Sequence, residues 1–414
     1  MRTKTLLLIL LMAANAATAQ WTKLTNGYTG LDLFDIHAHG DRIIAVGYTF
    51  SNFQGHWLKS DDGGKNWNLI PYNPGQLFKT IVFKDADTGF VGGFGSITAL
   101  YRTTDGGQNW NLFLQDFDNS GISDMHFLSD KIAVAAGYAH DQFFSGQCYR
   151  TLDGGHTWTS IDSADLGCLD TTAIDYVQFV DAQTGYGRAD LFGARTLVKT
   201  TDSGKSWNLI YTHTMGMAGT HFWNANNGIM IDNAGKVFKT TNGGQNWTAT
   251  GKTVASTLLT MNFLNQTLGF AAGAGVIYKT TDGGENWIKE PTVAALAQYR
   301  RIRFFDNRAY LTSTNGIIVR SEVLPNNVND VLPLAEQMNI YPNPANDALT
   351  ISSYNGVYKN IDAVITSLDG RSLRSASTND GMLQLDVADL PSGNYTLELN
   401  VDGRQTSRVI SIAH

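Results

Sequence analysis

Short apolar runs separated by turn-forming residues fill most of this chain. Runs such as Ile81-Val82-Phe83 and Phe90-Val91-Gly92 are bounded by segments rich in Asp, Asn, Thr and Gly. Runs of this length between turn residues are typical of β-strands rather than of helices. The pattern therefore predicts an all-β protein built from short strands and tight turns.

One turn sequence recurs through the first three quarters of the chain. The pattern Ser/Thr-x-Asp/Asn-x-Gly-x-x-Trp occurs six times, and its third residues are Asp62, Asp105, Asp153, Asp202, Asn242 and Asp282. Successive copies are 43, 48, 49, 40 and 40 residues apart. A period of this size with several short strands in every unit predicts a β-propeller.

The residue types of this repeat are those that a tight hairpin needs. Glycine reaches positive φ angles at low cost, and an Asp or Asn side chain accepts hydrogen bonds from backbone N–H groups further along a turn. The Trp that follows offers a large apolar area to the groove between neighbouring sheets. We therefore interpret the six Asp and Asn residues as structural rather than catalytic. The repeat resembles the Asp-box, or BNR repeat, of β-propellers.

A seventh unit lacks the box, and its missing strand is found at the other end of the chain. Residues 316–321 match residues 275–280, which lead into the sixth box, at a step of 41 residues. Trp21–Leu24 resembles the strand that follows each box. We predict that it completes the last sheet, so that residues 20–323 form a seven-bladed propeller without an open edge.

The amino-acid sequence of the repeats is similar to that of the photosystem II stability and assembly factor-like propellers. Sialidases and xyloglucanases are more distant Asp-box relatives. The photosynthetic role of the first family is not carried over, because nothing in the sequence supports a photosynthetic setting.

The C-terminal segment has a different pattern. Residues 324–337 are polar and irregular, as in a linker, and residues 338–414 alternate apolar and polar positions between short turns. The alternation predicts a small, immunoglobulin-like β-sandwich. Six residues are similar to the C-terminal sorting domain of the type IX secretion system: Pro342, Asn343, Pro344, Gly370, Gly393 and Tyr395. The resemblance implies secretion machinery and a sortase as partners, with a product that is either released or attached to the cell surface.

The N-terminus and the composition agree with export. Basic residues at positions 2 and 4, an apolar run over residues 6–12 and small residues at 17–19 predict a signal peptide over residues 1–19, hence a route through the periplasm. The chain has a net charge of -7, which argues against nucleic acid as a partner. No later segment is apolar enough to predict membrane insertion. The two cysteines, Cys148 and Cys168, are predicted to form a disulfide, with two free thiols as the alternative.

Enlarged loops mark a candidate ligand-binding face. In a propeller blade, the loops between the second and third strands lie on the face opposite the Asp-box turns. Three of these loops are long and mix aromatic with His, Asp and Arg residues, which suits a glycan or protein ligand. The candidate residues are Phe50, Phe53, His56, Trp57, His140, Asp141, Phe143, Phe144, Arg188, Asp190, Phe192 and Arg195.

Candidate metal and catalytic groups are sparse. His37, His126 and His221 occupy equivalent positions in alternate units, where we expect them to line the channel rather than to converge on a metal. The propeller has only three glutamates, Glu285, Glu290 and Glu322, so the Tyr/Glu pair that a sialidase resemblance implies is not evident, and no Arg-Ile-Pro motif precedes the first box. No cofactor is predicted.

The sequence favours a non-enzymatic, exported binding or scaffold propeller. Two alternatives stay open. One is a carbohydrate-active hydrolase that uses carboxylates such as Asp141 and Asp190. The other is an assembly factor for another exported complex. The sequence does not name the ligand or the oligomeric state.

Overall fold

The computed structural model describes residues 21–24, 26–74, 76–95, 98–116, 120–139, 146–161, 173–191, 194–321, 338–353, 360–367 and 370–414. Every regular element in these ranges is a β-strand. The predicted signal peptide and linker lie outside them. The described residues include no helix with the length and apolarity to span a membrane.

Seven four-stranded antiparallel sheets, the blades, precede residue 322. Blade 1 contains β2 to β5 (Leu31–His39, Arg42–Thr49, Gln54–Ser60, Asn68–Pro74), and blade 2 contains β6 to β9 (Gln76–Phe83, Gly89–Gly95, Thr98–Thr103, Asn111–Asp116). Blade 3 contains β10 to β13 (Ser120–Phe127, Ala133–Ala139, Gly146–Thr151, Thr159–Ser160), and blade 4 contains β14 to β17 (Ala173–Phe179, Gly185–Leu191, Ala194–Thr200, Asn208–His213). Blade 5 contains β18 to β21 (Met217–Phe222, Gly228–Asp232, Lys236–Thr240, Thr248–Thr253), and blade 6 contains β22 to β25 (Leu258–Phe263, Gly269–Gly273, Ile277–Thr280, Ile288–Lys289).

The last blade joins the two ends of the propeller. It contains β26 to β28 (Tyr299–Phe305, Arg308–Ser313, Ile318–Ser321) and takes its fourth strand from β1 (Trp21–Leu24). Trp21 pairs with Ser321 in antiparallel register and lies 8% exposed, edge-on to the Phe270 ring at 5.2 Å. The predicted completion of the last sheet by Trp21–Leu24 is therefore present in the structure.

The Asp-box turn is built from side chain to backbone hydrogen bonds. In the second box, Thr103 Oγ1 donates to Asp105 Oδ1 at 2.8 Å and accepts from the Gly107 N–H at 2.9 Å. Asp105 also accepts from the backbone and side-chain N–H groups of Asn109, at 2.9 and 2.7 Å. Gly106 and Gly107 have φ angles of +69° and +81°, a region that side chains disfavour. The box is thus a turn motif, as its residue types predict.

The boxes also pack against the turns between first and second strands. The Gly106 N–H donates to the Asp87 carbonyl at 2.8 Å, and the same bond joins Gly63 to Asp41 and Gly243 to Asn226. Both kinds of turn therefore lie on one face, which we call the box face. The opposite face carries the loops between second and third strands, such as residues 49–54, and we call it the loop face.

Basic residues near the ends of three third strands link one blade to the next. Arg150 Nε donates to the Ser203 carbonyl at 3.0 Å, Lys199 Nζ to the Ala225 carbonyl at 3.2 Å, and Arg320 Nη1 to the Gly63 carbonyl at 3.0 Å. Each acceptor belongs to a turn of the following blade. These charges therefore hold neighbouring turns together on the box face.

A second domain follows residue 337. Its strands are β29 to β35: Met338–Tyr341, Ala348–Ser353, Ile361–Thr366, Ser372–Thr378, Met382–Asp386, Gly393–Val401 and Arg404–Ile412. They form a three-stranded sheet (β29-β30-β33) and a four-stranded sheet (β32-β31-β34-β35) around one apolar cluster. The predicted all-β class, with a propeller and a small β domain, is confirmed.

Candidate functional site

The innermost strand of every blade contains one β-bulge at the same point of its pairing with the second strand. A bulge bends a strand and re-aims the neighbouring side chains. The residues left unpaired, which we call the bulge ring, are Phe34, Lys79, Ser123, Asp175, Ala218, Leu259 and Arg300. The residues that follow them, the axis ring, are Asp35, Thr80, Asp124, Tyr176, Gly219, Thr260 and Arg301. Because the inner strands run from the loop face to the box face, the bulge ring lies nearer the loop face.

A buried ion-pair cluster crosses the channel at the axis ring. Arg303 donates from Nε and Nη2 to the two carboxylate oxygens of Asp35, at 2.9 and 2.8 Å, and from Nη2 to Asp124 at 3.3 Å. Arg301 Nη1 lies 3.2 Å from Asp124 Oδ2. Both aspartates are 0% exposed. Burial alone would raise the pKa of Asp35, but Arg303 and Arg301 outweigh it and hold the pKa below its ordinary value. The cluster joins blades 1, 3 and 7.

An aromatic and cationic cluster lies at the loop-face mouth of the channel. The Phe34 ring, from blade 1, has Lys79 Nζ at 3.9 Å and the Arg300 guanidinium carbon at 5.5 Å. These two cations come from the neighbouring blades 2 and 7. Arg300 Nη2 is 3.7 Å from Asp32 Oδ2. Burial, together with the positive charges of Arg300 and Arg301, lowers the pKa of Lys79 to about 8. The mouth therefore brings like charges together around one ring.

A second ion pair lies on the blade 4 side of the mouth. Asp175 accepts from Arg188 Nε at 3.0 Å and also from Arg195. Burial would raise the pKa of Asp175, but both arginines lower it, and the net shift is downward. Beside this pair is a cavity of about 30 Å³ lined by Tyr176, Arg188, Gly219, Thr220, Leu259, Thr260, Met261, Asn262 and Arg300 to Arg303. A space of this size holds one or two water molecules, or the head of a carboxylate.

Among the described side chains in this half of the channel, basic ones outnumber acidic ones. The basic side chains are Lys79, Arg188, Arg195, Arg300, Arg301 and Arg303, and the acidic ones are Asp32, Asp35, Asp124 and Asp175. If Asp190, whose side chain is not among those described, is added to the acidic side chains, the basic side chains are still more numerous. The whole chain carries a net charge of -7, so this local excess is opposite in sign to the rest of the protein.

The structure describes the side chains of six of the twelve residues predicted for the ligand face. Phe50 and Phe53 are 56% and 58% exposed on the loop face, and Arg188 and Arg195 take part in the ion pair with Asp175. His140, Asp141, Phe143, Phe144 and Phe192 lie outside the described residues, as does the side chain of Asp190.

Two of the predicted ligand contacts are wrong. His56 and Trp57 are 6% and 2% exposed, because β4 begins at Gln54 and both residues belong to the strand rather than to the loop. The Trp57 ring packs on Phe78 with a centroid separation of 4.5 Å. The repeat could have shown that Trp57 is a core residue. The third residue before every box is apolar and buried: Trp57, Leu100, Cys148, Leu197, Val237 and Ile277.

The three channel histidines join consecutive blades. His37 stacks on Phe83 at 4.3 Å, and His221 lies over Phe263 at 5.2 Å. Burial is the main cause that lowers the pKa of each of these two histidines to about 3. At the equivalent position in blade 4, Gln178 bonds both backbone groups of Phe222, at 3.0 and 2.8 Å. His221 is 1% exposed, so it is buried between blades and does not line the channel as a solvent-exposed residue. No group of three His, Cys, Asp or Glu residues in the described part of the chain could hold a metal.

The cysteine prediction stays untested. Cys148 is a free thiol, 0% exposed, and burial raises its pKa to about 12. Cys168 lies outside the described residues. The disulfide between them remains a prediction.

The second domain can be assigned by comparison with known families. Residues 339–413 match the family described as "Secretion system C-terminal sorting domain". The second domain is a secretion sorting domain. Such a domain marks the chain for export by the type IX secretion system, to the cell surface or the medium.

Solved structures show the fold of the first domain. YCF48 from Cyanidioschyzon merolae is 20% identical, with a TM-score of 0.58 over 73% of this chain and 99% of that chain. A structure described as "YCF48 bound to D1 peptide" is 18% identical, with a TM-score of 0.58 over 75% and 99%. PorZ, a surface component of the type IX secretion system of Porphyromonas gingivalis, is 14% identical, with a TM-score of 0.55 over 94% of this chain and 60% of that chain. No curated protein matches the sequence.

The motif residues of the sorting domain hold its turns. Asn343 Oδ1 accepts from the Ser411 N–H at 2.8 Å, and the Tyr395 hydroxyl donates to the Pro391 carbonyl at 2.6 Å. Gly370 has a φ of +84° in the turn between β31 and β32. These residues fix the shape of the turns of the sorting domain.

The sorting domain meets the propeller on the box face. The Tyr341 hydroxyl donates to the Leu128 carbonyl at 3.3 Å. A cavity of about 920 Å³ lies between the two domains, where Asp85, Asp130 and Asp181 of the propeller face Asp380 of the sorting domain. This mouth is acidic and covered, whereas the loop-face mouth is basic and exposes aromatic rings.

Proposed function

We propose that this protein is an exported, non-enzymatic binding propeller that holds a peptide segment of another exported protein at the loop-face mouth. Export rests on the sorting domain. The observation that supports a binding role is that basic side chains gather at the loop-face mouth of a protein whose net charge is negative. Like charges that lie together without full compensation raise the energy of the free protein, and an anionic ligand relieves that cost.

The geometry suits an anionic group that is presented by a larger ligand. Lys79 and Arg300 flank Phe34 on two sides, and Lys79 forms no ion pair within 4.0 Å among the described residues. A carboxylate placed between these cations would gain charge-assisted hydrogen bonds in a half-buried setting, where they are stronger than in water.

Comparison with solved propellers supports a peptide ligand. A propeller of similar fold is described as bound to the D1 peptide. A peptide-holding propeller at the cell surface would also suit an assembly factor for another exported complex. The similarity to PorZ favours this version of the proposal.

The described carboxylates do not favour a glycosidase. A glycosidase needs one carboxylic acid with a raised pKa and a second that is ionised. In the channel, Asp35 and Asp175 have lowered pKa values, and each is bonded to arginine. Neither is poised to donate a proton.

Binding can be measured by fluorescence anisotropy with the purified full chain and labelled peptides that contain several aspartates. We expect affinity to fall with rising salt, and to fall by about tenfold or more in the double variant K79E/R300E. The control is K252E/K289E, which makes the same charge change on the outer strands β21 of blade 5 and β25 of blade 6. Equal loss in the control and the double variant, or no binding of any acidic peptide, would contradict the proposal.

A further inference from the structure

The hairpin tip between β3 and β4 carries two exposed aromatic side chains on a strained backbone. Phe50 and Phe53 are 56% and 58% exposed. Phe53 has a φ of +50°, a left-handed conformation that is strained for a bulky residue. Because glycine or asparagine would fill this turn without strain, the turn itself does not require a phenylalanine.

The polar groups of this tip are used within the tip. The Thr49 hydroxyl donates to Asn52 and lies 3.4 Å from His56 Nε2. Asn52 Nδ2 donates to Gln54 Oε1 at 3.1 Å. These contacts hold the tip in shape and leave the two phenylalanine rings as its outward contact surface.

The exposed rings are connected to the cations of the mouth. The centroids of Phe50 and Tyr48 are 4.9 Å apart, and those of Tyr48 and Phe34 are 4.8 Å apart. Phe34 contacts Lys79 at 3.9 Å and Arg300 at 5.5 Å. These steps place Phe50 at most about 15 Å from Arg300, a distance that about five residues of extended peptide span.

We propose that the ligand of the loop face is an extended acidic peptide with an aromatic or aliphatic side chain within about five residues of a carboxylate. Phe50 and Phe53 contact the apolar side chain, and Lys79 and Arg300 bind the carboxylate. This inference rests on the proposed function and specifies its ligand.

The surface favours such a peptide over an acidic polysaccharide. Sugar recognition needs hydrogen-bonding groups around a stacked ring, because each hydroxyl that loses water must find a new partner. At this tip, Thr49, Asn52 and Gln54 already bond one another. Apolar side chains need no such partners, and charge complementarity accounts for the acidic part of the ligand.

The test uses the purified full chain and two fluorescent peptides of about ten residues, enough to span the surface when extended. Both carry a pair of aspartates in a Gly/Ser background, and one of them has a phenylalanine four residues from the pair. We expect the phenylalanine peptide to bind about tenfold more tightly, and the double variant F50A/F53A to remove that difference while leaving the affinity of the other peptide unchanged. The control is L152A, which removes a side chain of 59% exposure from a box turn on the opposite face.

The variant F53G separates ligand contact from folding. It removes the strained ring, so we expect an equal or higher melting temperature together with weaker binding of the phenylalanine peptide. If both peptides bind equally and F50A/F53A changes neither, the inference is overturned while the proposed function stands. Tighter binding of a soluble polyuronate, lost in F50A/F53A, would also overturn it. If K79E/R300E changes no affinity, the proposed function fails with it.

Discussion

The pair between Arg303 and Asp35 gives a direct test of how the propeller ring is closed. The two residues are 268 positions apart in the chain, and two hydrogen bonds of 2.9 and 2.8 Å join them. We predict that the substitution Arg303→Met, which keeps an unbranched stem of four atoms and removes the charged guanidinium, destabilises the propeller at neutral pH.

The magnitude follows from burial. Asp35 is 0% exposed, and removal of one partner from a buried ion pair costs about 3–5 kcal/mol, because the other charge stays buried without it. Arg301 Nε, at 3.7 Å from Asp35, compensates in part, so we expect the lower end, about 3 kcal/mol. At about 2–4 °C per kcal/mol for a large domain, the melting temperature should fall by roughly 10 °C.

The effect depends on pH with a defined sign. The folded pKa of Asp35 is lowered, so its stabilising contribution is present above the unfolded pKa of about 3.9 and is lost as pH falls through the folded value. In the Arg303→Met variant, burial without that partner favours the protonated acid. The difference in stability between the two proteins should therefore be largest at neutral pH and should shrink toward pH 4.

Urea unfolding followed by tryptophan fluorescence measures this difference. All nine tryptophans lie between Trp21 and Trp287, so the signal reports on the propeller and not on the sorting domain. The double variant D35N/R303M should recover part of the loss, because it leaves no unpaired charge at Asp35. A variant Arg303→Met with wild-type stability, or a loss that does not change with pH, would refute the reasoning.

Three further predictions concern other parts of the chain. Trp21→Ala should destabilise the last blade by about 3–5 kcal/mol through its buried contact with Phe270, and unchanged urea unfolding would contradict closure by β1. Asn242→Asp should stabilise the fifth box by up to about 1 kcal/mol at pH 7, because Asp105 shows that a second carboxylate oxygen accepts a further bond in this turn. This gain in stability should disappear toward pH 2 in thermal melts, and a gain that persists there would contradict the prediction. Deletion of residues 338–414 should leave a folded propeller in the periplasm, and normal amounts of it at the cell surface would show that the sorting assignment does not govern export.

The parts of the fold that the sequence predicted depend on local chemistry. Each box contains its own donors and acceptors within eight residues, as the bonds of Thr103, Asp105 and Asn109 show. A structure that is complete within one segment leaves a repeated pattern in the sequence. The short strands, the seventh unit that lacks its own fourth strand, and the turns of the sorting domain were predicted from local patterns in the same way.

The channel could not be predicted because its contacts are not local. Asp35, Asp124 and Arg303 come from three blades and meet only when the ring closes. Sequence reasoning placed His37, His126 and His221 at the channel, but it did not predict the ion pairs of Arg303 with Asp35 and Asp124. The β-bulge that directs them inward has no residue signature, since Phe34, Lys79 and Ala218 occupy equivalent places in it.

This lack of a signature suggests why the binding site lies where it does. The first six blades use the box to make the turn and the buried apolar residue before it to fill the core, so these positions vary little within the chain. The bulge needs only an extra residue in the strand, and any side chain can fill it. The bulge ring has no such common duty, since Ala218 packs in the apolar core whereas Lys79 and Arg300 contact the Phe34 ring. A propeller can change its ligand at this ring without a change of fold, and here the ring has placed Lys79, Phe34 and Arg300 side by side at the loop-face mouth.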